Sequence, residues 1–122
     1  MPKTVLVCDD ERYILESVAY VVRQEGFQVL TAEDGEHALR LARAERPDLL
    51  LLDVNLPHRS GFEVCRALKS DPSTQAISII LLTCLGRESD MDDAYQSGAD
   101  DFLTKPFSPR PLRRRLHELL DD

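Results

Sequence analysis

Four apolar stretches of the sequence end in polar or charged side chains that suit one kind of chemistry. In chain order, these terminal residues are Asp9 with Asp10, Asp53, Thr83 and Lys105. An aspartate can accept a phosphoryl group as an aspartyl phosphate, while an ammonium and a hydroxyl neutralise and hold the oxygens of the transferred group. The set indicates phosphoryl transfer in which Asp53 is the nucleophile, Lys105 supplies positive charge and Thr83 supplies a hydroxyl.

Three of these residues are carboxylates, and they require a cation if the fold brings them together. Carboxylates a few ångströms apart raise one another's pKa unless a divalent ion lies between them. Magnesium suits an all-oxygen set that leaves room for phosphate oxygens, whereas zinc prefers the histidine or cysteine ligands that these positions lack. We therefore predict a Mg²⁺ site formed by Asp9, Asp10 and Asp53, with the backbone carbonyl of Asn55 as a further ligand.

The stretch that ends at Asp53 predicts how this carboxylate is presented. Residues 49–52 are four consecutive leucines, without the alternation of a half-exposed strand, so they predict a strand buried on both faces of a parallel sheet. Pro57 then takes the chain out of strand geometry. Because ligands bind at the carboxyl edge of open parallel sheets, Asp53 is the first candidate for chemistry.

The remaining apolar patterns alternate between strand and helix along the chain. Strands are predicted over 4–8, 27–31, 49–53, 77–83 and 101–104. Helices are predicted over 12–24, from 35 to before 47, from a cap at Ser60 to before 71, over 89–97 and over 112–120. This alternation is typical of an α/β fold with a parallel sheet and helices on both faces. We expect one domain over residues 1–122.

Composition excludes several classes of function. A net charge of −7 argues against phosphate-backbone contacts by this domain, so we expect no direct binding of nucleic acid. No stretch approaches the roughly 18 apolar residues of a membrane span, so we expect no membrane association. Three cysteines inside apolar runs are typical of core residues in a reduced, cytoplasmic protein.

The ordered motifs also resemble those of a known family over the whole chain. Asp9-Asp10, Asp53 with Leu56-Pro57, Thr83 and the stretch 98–107 are similar to the motifs of a response-regulator receiver domain. The resemblance implies a flavodoxin-like (βα)5 fold with a five-stranded sheet in the order 2-1-3-4-5. It further implies a phosphorylation-activated switch of a two-component system, which takes a phosphoryl group from a histidine kinase or a histidine phosphotransfer protein.

Further expectations follow from the same resemblance. Phe102 matches the family's switch aromatic, which turns inward when the threonine, here Thr83, moves towards the phosphate. The bond before Pro106 is expected to be cis, and the surface of the fourth helix, fifth strand and last helix is expected to control an output partner or fused domain. The domain would not be a turnover enzyme, because it would catalyse only its own phosphorylation and dephosphorylation.

The sequence departs from the family pattern beside the site and on the output surface. His58-Arg59-Ser60 replaces the more typical Gly-Met-Asp, and Cys84 stands where a smaller residue is usual. In the charged network through which related receivers dimerise, Met91 and Pro111 replace a lysine and a glutamate, although three other members match. Those three are Asp100, Asp101 and Arg115. We therefore predict a monomer or a weak dimer.

Two alternative functions remain open at this level. A haloacid-dehalogenase-like phosphatase also uses a strand-end aspartate and Mg²⁺, and the spacing of Asp53 and Asn55 faintly resembles its paired acids. A receiver-like interaction domain that never takes phosphate is the second. Side chains that the sequence does not assign to chemistry are predicted to be solvated: His37, His58, His117 and the run 113–115.

Overall fold

The computed structural model describes residues 2–84, 96–105 and 108–121. Its strands are β1 Thr4–Cys8, β2 Gln28–Ala32, β3 Leu49–Asp53, β4 Ser78–Cys84 and β5 Asp101–Lys105. Its helices are α1 Arg12–Gln24, α2 Gly35–Glu45, α3 Gly61–Lys69 and the C-terminal helix Pro109–Leu120. The predicted elements in these ranges are present, with small shifts at their ends. The predicted helix over 89–97 falls largely outside the described residues.

All five strands pair in parallel, in the order β2-β1-β3-β4-β5. The predicted α/β class, the parallel sheet and the strand order are confirmed. In the register, Cys8 lies beside Leu52, Asp53 beside Leu82 and Cys84 beside Lys105. The carboxyl ends of β1, β3, β4 and β5 therefore meet along one edge, which is the arrangement that the terminal polar residues need.

The central strand β3 divides the core into two apolar layers. Leu50 and Leu52 belong to the layer shared with α2 and α3, whereas Leu49 and Leu51 face α1 and the C-terminal helix. All four leucines are fully buried, which confirms a strand covered on both faces. Each contributes about 1.5–3 kcal/mol of stability by leaving water, so this strand holds Asp53 on a rigid support.

Two caps set where the helices next to the site begin. The Ser60 hydroxyl accepts a hydrogen bond from the Glu63 N–H at 3.2 Å, so the predicted cap at Ser60 is confirmed. Asp34 caps α2 in the same way, with its carboxylate accepting from the His37 N–H at 2.8 Å. Both helices therefore start at the carboxyl edge of the sheet, beside the predicted site.

The basic residues of the C-terminal helix are more engaged than the sequence predicted. The Arg113 guanidinium lies 3.4 Å from the Glu25 carboxylate, and Arg115 lies 2.9 Å from Asp101. His117 contacts Glu25 at 2.7 Å. These side chains remain partly exposed, as a solvated face requires, but they pair with acids from elements that are distant in the sequence. No described helix has the length and apolar character needed to cross a membrane.

Candidate functional site

Three carboxylates converge at the carboxyl edge of β1 and β3. Asp9, Asp10 and Asp53 each offer an oxygen, and these oxygens all lie within 4.8 Å of one another. Asp9 and Asp53 are almost completely buried, at 0% and 3% exposure, whereas Asp10 is exposed. The predicted convergence therefore occurs, since adjacent parallel strands end side by side.

Local backbone donors hold the two buried carboxylates. One oxygen of Asp9 accepts from the Glu11 N–H at 2.9 Å, and one oxygen of Asp53 accepts from the Asn55 N–H at 3.2 Å. Each bond runs two residues forward, so the turn after the strand orients its own carboxylate. The second oxygen of each group faces the space that the Lys105 ammonium occupies.

Lys105 enters that space from β5. Its ammonium donates to Asp9 at 3.1 Å and lies 3.3 Å from Asp53. Burial by itself would lower the pKa of Lys105, but the hydrogen bond to Asp9 and the charge of Asp53 outweigh it and raise that pKa. The ammonium is therefore held in its charged form between the two carboxylates.

Thr83 is the next-to-last residue of β4 and follows Leu82, which pairs in register with Asp53. The side chain is 1% exposed, and within the described ranges its hydroxyl oxygen has no hydrogen-bond partner. A buried unsatisfied hydroxyl costs about 1–3 kcal/mol, so it requires an explanation. A phosphoryl oxygen arriving at the edge of the sheet would supply the missing partner.

With this geometry in place, comparison with known proteins identifies the family. Residues 5–117 match the family model of the response regulator receiver domain. The chain belongs to the response regulator receiver domain family. This membership leaves the haloacid-dehalogenase-like alternative without support.

This receiver domain is similar to part of two curated transcriptional regulatory proteins. It is 42% identical over 120 residues to the alkaline phosphatase synthesis transcriptional regulatory protein PhoP of Bacillus subtilis, covering 98% of this chain and 49% of the relative. It is 44% identical over 118 residues to the phosphate regulon transcriptional regulatory protein PhoB of Pseudomonas aeruginosa, covering 97% and 52% respectively. The chain thus spans about half the length of these relatives.

Solved structures match the receiver domain over its full length. A putative response regulator from Chloroflexus aurantiacus superimposes with a TM-score of 0.94 at 34% identity, covering all of both chains. The receiver domain of the sensor histidine kinase PA1611 from Pseudomonas aeruginosa gives a TM-score of 0.91 at 27% identity, again over all of both chains. That second structure holds a magnesium ion in its active site cleft.

The electrostatics of the acidic cluster fit a divalent cation. The pKa of Asp53 is raised, and burial is the largest cause. The charge of Lys105 and the hydrogen bond from the Asn55 N–H lower this pKa, whereas the charge of Asp9 raises it further. One ammonium therefore does not offset the cost of burying this carboxylate. A hard cation with oxygen ligands would do so, and the three carboxylates offer the donor chemistry that Mg²⁺ prefers.

Cys8 shows the other effect of this acidic environment. Burial, followed by the nearby charge of Asp9, raises the pKa of the Cys8 thiol. The Cys8 thiol donates a hydrogen bond to the Asp34 carbonyl at 3.5 Å. The prediction that this cysteine behaves as a core residue agrees with a thiol that stays protonated.

Gly61 is a site residue that the sequence analysis missed. A Cβ atom at this position would lie 2.4 Å from the Asp53 carbonyl oxygen, closer than any real side chain allows. The Gly61 N–H also donates to the Val54 carbonyl at 3.0 Å. Glycine therefore lets α3 start directly against the backbone at the end of β3, and its position just after a capping serine was the available signal.

Phe102 and Pro106 complete the set of predicted residues. Phe102 is half-buried, pairs in register with Leu81, and packs against the apolar layer of α2 and α3. Phe102 therefore lies on β5, the strand that pairs with the strand of Thr83, and this placement is compatible with the predicted switch. Pro106 lies outside the described residues, so the cis bond stays a prediction.

Proposed function

We propose that this receiver domain accepts a phosphoryl group on Asp53 in a Mg²⁺-dependent reaction with a histidine kinase or a histidine phosphotransfer protein. One observation carries the proposal: the Lys105 ammonium lies between the buried carboxylates of Asp9 and Asp53, at 3.1 and 3.3 Å. An ion pair that only stabilises the fold needs one acid for each base, whereas Lys105 has two buried acids beside it and a third carboxylate nearby. A phosphoacceptor site needs all of them.

Each side chain then has a separate role. Asp9, Asp10 and Asp53, with the Asn55 carbonyl, would hold Mg²⁺, which supplies positive charge for the oxygens of the transferred group. A carboxylate oxygen of Asp53 attacks phosphorus, the P–N bond to the donor imidazole breaks, and its electron pair stays on the imidazole nitrogen. The Lys105 ammonium stabilises the negative charge that moves onto Asp53 with the group.

Thr83 connects this event to the surface. Its hydroxyl lacks a partner among the described residues and would donate to a phosphoryl oxygen once one is present. An interaction made only in the phosphorylated state shifts the conformational equilibrium towards that state. We expect Phe102 to respond, and the surface of the 89–97 segment, β5 and the C-terminal helix to control an output partner or a fused effector domain.

The surroundings of this output surface support a monomer or a weak dimer. Arg115 lies 2.9 Å from Asp101, and Asp100 lies 2.8 Å from Lys69, so these charges are already paired within the chain. Exposed ion pairs fix partner choice more than affinity, and paired charges are less available to a second copy. We place the domain in the cytoplasm and regard it as a switch, not a turnover enzyme.

Phosphorylation by acetyl phosphate tests the proposal. With Mg²⁺, the wild-type domain should gain the mass of one phosphoryl group, and Asp53→Asn should gain none. Asp48→Asn is the matched control, because Asp48 immediately precedes the opposite end of β3, where it accepts a hydrogen bond from the Thr4 N–H. It should be labelled like the wild type.

Other outcomes would contradict the proposal. Full labelling of Asp53→Asn, or labelling that survives chelation of the metal, would exclude Asp53 or Mg²⁺ from the reaction. A wild-type domain that never takes the label would instead support the receiver-like interaction domain that the sequence left open.

A further inference from the structure

The first turn of α2 touches both loops that carry the acidic cluster. On one side, the Cys8 thiol, which immediately precedes Asp9, donates to the Asp34 carbonyl at 3.5 Å. On the other side, a Cβ added at Gly35 would lie 2.7 Å from the Arg59 carbonyl oxygen and 2.9 Å from its Cβ atom. The start of α2 therefore lies between the loop after β1 and the loop after β3.

An ion pair strengthens the second of these contacts. The Arg59 guanidinium donates to the Glu36 carboxylate, and both side chains are about half exposed, at 44% and 51%. An exposed pair of this kind contributes little to global stability. Its position is the important feature, because Arg59 belongs to the short loop that joins Asn55, a predicted metal ligand, to the start of α3 at Gly61.

The backbone of this loop needs such an anchor. His58 has a φ of +70°, in the left-handed region that non-glycine residues seldom adopt. The Arg59 N–H donates to the Pro57 carbonyl at 2.8 Å, which closes a three-residue turn around His58. A conformation of this kind persists only where the surroundings hold it, and the contacts of Arg59 with α2 hold the adjacent residue.

We propose that Gly35, Glu36 and Arg59 form a clamp that fixes the loop after β3 relative to the loop after β1. The clamp residues are positioning residues: they set the Mg²⁺ affinity of the domain without touching the ion. The reason is geometric, since Mg²⁺ requires near-octahedral oxygen ligands and tolerates little displacement. This inference rests on the proposed magnesium-dependent function and adds to it the residues that arrange the ligands.

Mg²⁺ alone is the probe, titrated against the unphosphorylated domain while the amide resonances of Asn55 and Gly61 are followed by NMR. Gly35→Ala should weaken binding about tenfold, the size typical of substitutions at residues that support a metal ligand, because the added methyl group displaces Arg59 without changing the net charge. Gly26→Ala is the matched control. Gly26 has a φ of +92° and nothing within 4 Å of an added Cβ, so this change should lower the melting temperature and leave Mg²⁺ affinity unchanged.

A second variant decides the matter even if Gly35→Ala does not fold. Arg59→Gln removes a positive charge from the loop, and charge alone would strengthen the binding of a cation. The clamp predicts the opposite sign, namely weaker binding. Adding His58→Gly to Arg59→Gln should recover part of the affinity, since glycine adopts positive φ without strain.

The outcomes separate the clamp from the function on which it rests. Equal or tighter Mg²⁺ binding by Arg59→Gln, or unchanged binding by a folded Gly35→Ala, would overturn the clamp while the wild-type domain still binds the ion. A wild-type domain that does not bind Mg²⁺ would overturn the proposed function as well.

Discussion

Charged side chains gather at both edges of the sheet, but the two groups differ in their burial and in how fully their acids are paired with bases. At the carboxyl edge, the acidic site brings three carboxylates together, and the Lys105 ammonium contacts the two that are buried. At the other edge, the group that we call the His117 cluster pairs acids with bases at partly exposed positions. Its members are Glu25, Arg113, His117 and Asp121.

The difference separates charges that stabilise the fold from charges that serve a function. In the His117 cluster each acid has a basic partner, so these charges need no bound ion to offset them. In the acidic site, burial raises the pKa of Asp53 despite the nearby Lys105. An arrangement that is unfavourable in the free protein and is relieved by a cation is typical of a binding site.

The largest expected effect comes from removing the Lys105 ammonium, which contacts Asp9 and Asp53 in the acidic site. Lys105→Met should destabilise the metal-free domain by about 3 kcal/mol, because it leaves two buried carboxylates without a counter-charge. Added Mg²⁺ should recover much of that stability. Thermal melting followed by circular dichroism, with and without Mg²⁺, measures both effects. A melting temperature unchanged by the substitution would show that the ammonium is not needed to offset the buried acids.

Removing an acid from the same site should act in the opposite direction. Asp10→Asn relieves repulsion, so the metal-free domain should gain up to about 1 kcal/mol, the range of interactions between exposed charges. It should also gain less stability from Mg²⁺, since the variant has one ligand fewer. The same melting experiment reports the result, and a lower melting temperature for the metal-free variant would argue against a shared acidic site.

Thr83 tests whether the unpaired hydroxyl serves the phosphorylated state. Thr83→Ala should change the stability of the free domain by less than about 1 kcal/mol, because relief of the unsatisfied hydroxyl is offset by the loss of a buried methyl group. Phosphorylation should persist, but the Phe102 ring resonances should move less on beryllofluoride addition than in the wild type. Equal movement in both proteins would refute the coupling.

The smallest expected effect lies in the His117 cluster and depends on pH. The hydrogen bond to Glu25 is the main cause that raises the pKa of His117 above its ordinary value of 6.5. The folded state thus binds the proton more tightly than the unfolded state, so this stabilisation is complete below pH 6.5 and is lost as pH rises through the folded pKa. Glu25→Gln should lower the His117 pKa measured by NMR and flatten the pH dependence of stability in that window. An unchanged His117 pKa would contradict this account of the cluster.

The fold and the meeting of the strand-end side chains could both be predicted from the sequence. Four consecutive leucines favour a strand buried on both faces, and parallel strands bring their terminal residues to one edge. Lys105 can pair with Asp9 because both lie at that edge, although the two residues are 96 positions apart in the sequence.

What the sequence missed depends on contacts between distant elements. In the sequence, Gly61 resembles any glycine at the start of a helix. Only the structure shows that a Cβ atom at this position would clash with the Asp53 carbonyl oxygen. The contact between His117 and Glu25 was not predicted, because Glu25 lies at the end of α1, far from His117 in the sequence. The left-handed backbone of His58 could not be predicted either, since the contacts that hold it come from α2.

The most direct test of the central claim is to locate the phosphoryl group on the chain. After treatment with acetyl phosphate and Mg²⁺, borohydride reduces an aspartyl phosphate to homoserine, and peptide mass spectrometry identifies the residue that was converted. We expect homoserine at position 53 alone, and only when Mg²⁺ is present. Homoserine at position 9 or 10, or conversion that proceeds without the metal, would contradict it.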